Sequence, residues 1–100
     1  MKLFFSFLTS LFLSTSVFAD QGISDTEILV GMHTDISGPA SMIGKQSVDG
    51  ANMRFEEFNK KGGAYGRTIK FIVEDHQYTV PRAVQASNKL LRKDKIAFML

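Results

Sequence analysis

The sequence predicts an α/β fold, the first βαβαβ portion of a doubly wound parallel sheet. Three observations carry this expectation. Ile28, Leu29, Val30 and Met32 form a near-continuous apolar run, as in strands buried on both faces. Val48, Ala51, Phe55 and Phe58 then repeat at i, i+3, i+7 and i+10, one stripe of a helix. TIKFIVED at Thr68–Asp75 returns to a β-branched, aromatic run. The intervening segments are long enough for parallel crossovers, and right-handed connections with strand order 2-1-3 place the two helices on opposite faces.

The elements follow in order. Strand one spans Ile28 to His33, and a turn-rich loop from Thr34 to Pro39 stops it at Gly38-Pro39. The first helix runs from about Met42 to Lys61, with Ser41 as its expected N-cap and Gly62-Gly63 as its terminator. Its outer face carries Glu56/Lys60 and Glu57/Lys61 at i,i+4 spacing. Ala64-Tyr65-Gly66-Arg67 reads as a turn before the second strand. Thr79, Val80 and Pro81 open the second helix, with Pro accepted in the first turn. Its expected inner stripe is Val80, Ala83/Val84, Ser87 and Leu90/Leu91, and Lys89, Arg92 and Lys93 complement its carboxyl end as a solvated basic face. Ile96 to Leu100 is expected as a third buried strand.

The amino terminus reads as an export signal. Lys2 precedes an apolar stretch from Leu3 to Phe18, and Val17-Phe18-Ala19 suits a signal peptidase, so cleavage is expected before Asp20. The run is shorter and richer in Ser and Thr than a membrane anchor. Residues 1–19 are thus a signal peptide and residues 20–100 the folded part, with no stable membrane insertion after cleavage. Loss of Lys2 takes the twelve Lys and Arg to eleven, against ten Asp and Glu, a balance that argues against a nucleic-acid partner. The chain has no Cys, so an exported domain must be held by its core, which suits a bacterial periplasm. An open sheet with a bare edge is expected to leave residues 20–100 short of a stable monomer by themselves.

Open parallel sheets bind ligands at the carboxyl ends of their strands, so the loop from Asp35 to Ile43 is one expected cleft wall. A phosphate loop is excluded there. Gly38 to Gly44 has five intervening residues instead of four, and Gln46 replaces the required hydroxyl. No GxGxxG follows the first strand. His33 and His76, with Asp35 and Asp75 near them, are a thin ligand set for zinc, and hydrogen bonding to loop backbone is the plainer role. Glu74 and Asp75 are adjacent on a strand and point to opposite faces, so one of them is expected to cap a loop instead of forming an acid/base pair. No catalytic residue, metal or cofactor is assigned.

LVGMHTDISGPASMIGKQSVDGANMRFEEFNKKGGAYGRTIKFIVED resembles the amino-terminal segment of leucine/isoleucine/valine-type periplasmic solute-binding proteins, the type I binding proteins of ABC importers. The marks are Ser37-Gly-Pro-Ala40, Gly44, Gly50-Ala51, Asn59-Lys-Lys-Gly-Gly63, Gly66-Arg67 and Glu74-Asp75, and the likeness covers residues 26 to 100. It implies a non-enzymatic, two-lobed protein that closes on an amino acid, amide or similar small polar solute and delivers it to a membrane permease. Only the start of the first lobe is present, and the implied cleft-wall residues are Ser37, Gly38 and Ile43. Ile43 falls where leucine-type proteins present an aromatic ring. Val80 stands where many relatives place a capping Asp, and Thr79 is expected to take over that role. A ligand-sensing module of the same fold, uncoupled from transport, is the alternative that the resemblance allows.

Overall fold

The structure is a computed structural model that describes residues 20–100. The expected signal peptide at residues 1–19 lies outside the described residues. Three parallel strands, β1 (Glu27–Thr34), β2 (Thr68–Asp75) and β3 (Phe98–Met99), lie in the order β2-β1-β3. Helix α1 (Ser41–Lys60) joins β1 to β2, and α2 (Val80–Asn88) continues through a π turn (Lys89–Lys93) toward β3. This is the expected βαβαβ order with β1 at the centre.

The pairing register sorts the side chains onto two faces. Partnered residues on parallel strands project to the same side, and Val30 partners Phe71 while Gly31 partners Ile72. Phe55 of α1 packs edge-on against Phe71 with ring centroids 5.1 Å apart, so α1 covers the Val30/Phe71 face. Ser87 of α2 hydrogen-bonds His33, so α2 covers the Gly31/His33 face. The two helices therefore flank the sheet, as right-handed crossovers require. Val48, Ala51, Phe55 and Phe58 form the inner stripe of α1 as expected, each half-buried.

The core centres on Val30, Ala86, Leu90 and Ile96. Gly31 is what lets α2 approach this closely. A β-carbon there would lie 2.6 Å from Ile96 Cδ1 and 3.2 Å from Leu90 Cδ2.

Five expectations are corrected. The third strand is shorter than Ile96–Leu100, because Lys95 has a φ of 53° and the Ile96 N–H still bonds the Leu90 carbonyl. Ile96 is thus a core plug before the strand, while Phe98 and Leu100 are half or more exposed. The inner stripe of α2 runs through Ala83, Ala86, Ser87 and Leu90, whereas Val80, Val84 and Leu91 face outward. Glu57 pairs with Lys61 at 2.9 Å and with Arg54 at 3.2 Å, but Glu56 and Lys60 form no ion pair among the described residues. Ser41 is not the N-cap, since the helix begins after Ala40 without a side-chain cap from that position. Thr79 does hold the N-cap position of α2, yet its hydroxyl bonds back to the His76 carbonyl at 3.3 Å and does not cap the helix.

Lys89 also departs from the solvated face assigned to it. Its ammonium bridges Glu74 on β2 and Asp94 after the π turn, the latter at 2.8 Å. The two carboxylates raise its pKa, with Asp94 the larger influence. The π turn makes this possible, because its wider i+5 bond from the Asp94 N–H to the Lys89 carbonyl brings Asp94 back over Lys89.

Leu90 has no exposed surface. Replacing Leu90 by Ala is expected to destabilise the fold by about 2–5 kcal/mol. The urea midpoint of the variant against the parent, read by circular dichroism, checks this.

Candidate functional site

The candidate site is the rim at the carboxyl ends of β1 and β2, where two carboxylates organise two loops. Asp35, the first residue beyond β1, is almost fully buried. Its Oδ1 accepts the Gly38 N–H at 2.5 Å and its Oδ2 accepts the Ala40 N–H at 2.7 Å. These bonds do the work expected of a Ser41 cap. They satisfy backbone donors at the entry to α1, where a negative charge is also favoured by the helix dipole.

Asp75, the last residue of β2, braces the same loop from the neighbouring strand. Its Oδ1 accepts N–H groups from Ile36 at 3.0 Å and Gln77 at 2.9 Å, and its Oδ2 accepts the Ser37 hydroxyl at 2.6 Å. The Ser37 hydroxyl, with the Ile36 and Gln77 amides, lowers the Asp75 pKa from 3.8 to about 2. The loop-capping role expected of one member of Glu74/Asp75 thus falls to Asp75, while Glu74 points away to Lys89.

Two glycines seat the loop against its supports. A β-carbon at Gly38 would lie 2.6 Å from Asp35 Oδ1 and 2.8 Å from the Gln77 carbonyl oxygen. One at Gly44 would lie 1.8 Å from the Asp35 carbonyl oxygen. The first turn of α1 is therefore pressed onto the end of β1. Of the three residues assigned from sequence, Ser37 and Gly38 sit together in this braced loop. Ile43 lies in the first turn of α1 with 70% of its surface exposed.

The β2–α2 connection forms the adjoining rim. Gln77 and Tyr78 both have left-handed backbone, at φ of 50° and 60°. The Tyr78 N–H donates to His76 Nδ1 at 2.9 Å, the loop-backbone role that sequence assigned to such a histidine. His76 meets His33 edge-on at 5.4 Å between ring centroids. His33 Nε2 lies 3.0 Å from Ser87 Oγ, and its Nδ1 is buried without a partner among the described residues. Burial first, and the neighbouring His76 second, lower the His33 pKa, which favours the neutral imidazole. Among the described residues, no three His, Cys, Asp or Glu side chains gather in a cluster suited to a metal ion.

Sequence reasoning missed Asp35 as the loop organiser. The signal was available, because an Asp followed three residues later by Gly at a strand end is a common side-chain-capped turn. It also missed Asn59, whose side chain bonds the backbone of Ile69 on β2.

The Asp75 geometry sets a pH dependence. A carboxylate with a depressed folded pKa contributes stability that is fully present above its unfolded value and lost as pH falls through the folded value. That window runs from the ordinary 3.8 down to about 2. An NMR titration of the Asp75 carboxyl is expected to give a midpoint near the lower end, and Asp75→Asn is expected to remove this part of the acid dependence of thermal unfolding.

Comparison with known proteins gives a consistent picture. The chain is 29% identical over 93 residues to the Leu/Ile/Val-binding protein BraC3 of Rhizobium johnstonii, covering 93% of this chain and 24% of that protein. It is 26% identical over 95 residues to the leucine-, isoleucine-, valine-, threonine- and alanine-binding protein of Pseudomonas aeruginosa, covering 93% and 25%. The chain thus spans about a quarter of the length of these relatives. Among solved structures, the fatty acid ABC transporter substrate-binding protein of Thermomonospora curvata aligns with a TM-score of 0.71 and 32% identity, over 79% of this chain and 20% of that one. A branched-chain amino acid transporter substrate-binding protein from Streptococcus pneumoniae, solved with isoleucine, shares the fold with a TM-score of 0.71 and 23% identity, over 74% and 21%. The periplasmic binding protein family matches residues 27–100, the whole span from the first strand onward, and this chain belongs to that family.

Proposed function

We propose that residues 20–100 are the opening part of the first lobe of a periplasmic solute-binding protein. In this reading, Ser37, Gly38 and Ile43 line one wall of the ligand cleft. The observation that carries it is the double bracing of the Ser37–Gly38 loop by Asp35 and Asp75 at the carboxyl ends of two parallel strands. A rigid loop at that end of an open sheet is where such folds hold small ligands. A wall whose backbone donors are already satisfied presents a fixed surface and need not be ordered on binding.

The ligand class in this reading is an amino acid or related small polar solute, as the names of the two sequence relatives suggest. The protein is exported by the signal at residues 1–19, acts in the periplasm, and hands its ligand to the membrane permease of an ABC importer. No helix among the described residues is long and apolar enough to cross a membrane. The role is binding and delivery, with no catalytic step and no cofactor.

A chimera tests the reading. Residues 27–100 replace the matching segment of the Rhizobium Leu/Ile/Val-binding protein, and the product is titrated calorimetrically with amino acids, amides and urea. Binding of at least one of these solutes is expected, and absence of binding across all of them overturns the assignment. Ile43 is exposed, so Ile43→Asp should leave folding intact. It should weaken binding of an amino acid about tenfold, equivalent to roughly 1.4 kcal/mol, by placing an anion beside the ligand carboxylate. An unchanged affinity would remove Ile43 from the wall.

A further inference from the structure

The outer edge of β2 is unpaired among the described residues, since β2 lies at one end of the β2-β1-β3 order. Which backbone groups face that edge follows from the hydrogen bonds. The Thr68 N–H bonds the Thr26 carbonyl and the His76 N–H bonds the Thr34 carbonyl, both on the β1 side. Even-numbered residues of β2 therefore turn their amides toward β1. Ile69, Phe71 and Val73 turn theirs outward.

Ile69 is occupied. The side-chain amide of Asn59, in the last turn of α1, donates from Nδ2 to the Ile69 carbonyl at 2.8 Å and accepts the Ile69 N–H on Oδ1 at 2.8 Å. One planar amide thus meets both ladder groups of one residue, as a paired residue of a neighbouring antiparallel strand would. At the other end, β2 stops at Asp75. Between these two lie only Phe71 and Val73, too short a run for a stable added strand. Freed of Asn59, the edge would offer three successive outward residues on a strand rich in β-branched and aromatic side chains, the kind of edge on which strands from other molecules assemble.

We infer that Asn59 is an edge guard: it holds the Ile69 ladder position so that β2 does not pair, edge to edge, with β2 of a second copy of this chain. The occupant excluded is a second copy because its own Thr68–Asp75 segment carries the same outward pattern, so pairing about a two-fold axis is self-complementary. This inference is independent of the solute-binding proposal and concerns a different edge of the molecule.

The test uses the full chain and Asn59→Ala, compared with the parent at equal concentration by sedimentation velocity, with folding checked by far-ultraviolet circular dichroism. The weight-average mass of the variant is expected to rise about twofold or more as copies pair. Amide hydrogen exchange at Phe71 and Val73 is expected to slow about tenfold or more in the associated species, which separates the β2 edge from β3. Adding Val73→Pro is expected to restore the parent's mass. It removes an outward N–H and leaves the β1 ladder intact, the setting in which a strand tolerates proline. A folded Asn59→Ala variant with the parent's mass overturns the inference. So does association without added protection at Phe71 and Val73, or association that Val73→Pro leaves unchanged. If Asn59→Ala loses the parent's helix and strand signal, Asn59→Gln is read in the same way, because its extra methylene breaks the two-bond geometry while keeping an amide at the edge. Loss of fold there too overturns the inference, since Asn59 would then serve folding itself.

Discussion

Backbone amides must find partners wherever a parallel strand ends and the chain turns into a helix, and here two aspartates meet that requirement. Asp35 holds the Gly38 and Ala40 amides from below, and Asp75 holds those of Ile36 and Gln77 from the side. The register explains why they cooperate. Thr34 is the partner of Asp75, so the residue that follows β1 is delivered to the end of β2. The entry to α1, the position of Ser37 and the start of the β2–α2 connection all hang on these two side chains. An aspartate suits this task because its two carboxylate oxygens accept several hydrogen bonds from a short side chain.

The rest of the molecule works as a frame around that rim. Aromatic packing of Phe55 on Phe71 fixes α1 to one face. On the other face, Gly31 admits Leu90 and Ile96 against the centre of the sheet, and Ser87 meets His33. Lys89 ties β2, α2 and the approach to β3 through Glu74 and Asp94. These contacts lie on different elements, so the carboxyl ends of β1 and β2 are held from both faces as well as along the rim.

Much of this was legible in the sequence because periodicity reports burial. The apolar run at Ile28–Met32, the stripe through Phe55 and the β-branched run at Thr68–Asp75 each became the expected element. The illegible parts have physical reasons. The helical count leaves Ala83/Val84 and Leu90/Leu91 as alternatives, of which Ala83 and Leu90 face inward, and it omits the buried Ala86 because one small side chain adds little to an apolar stripe. Ile96 is apolar whether it plugs a core or extends a strand, and composition does not distinguish the two. Capping was misassigned to Ser41 because local rules favour the nearest hydroxyl, whereas Asp35 reaches the same amides from across the loop. Ser37 and Gly38 are named by the family resemblance alone, and what holds them is not legible locally: Gly38 is bound by Asp35, and Ser37 by Asp75, 38 residues away along the chain.

The close seating of Gly38 and Gly44 has a consequence for how such a chain can diverge. Any side chain at either position collides with Asp35 or the Gln77 carbonyl, and Ser37 is committed to Asp75. Pro39, Met42 and Ile43, by contrast, turn outward from the same loop and helix start. Mutational drift along this rim is thereby channelled. The frame resists change at three positions, and neighbours only a few ångströms away can be exchanged at little cost to folding. Novelty in what this surface meets is free to accumulate in the opening turn of α1, without the scaffold being rebuilt each time.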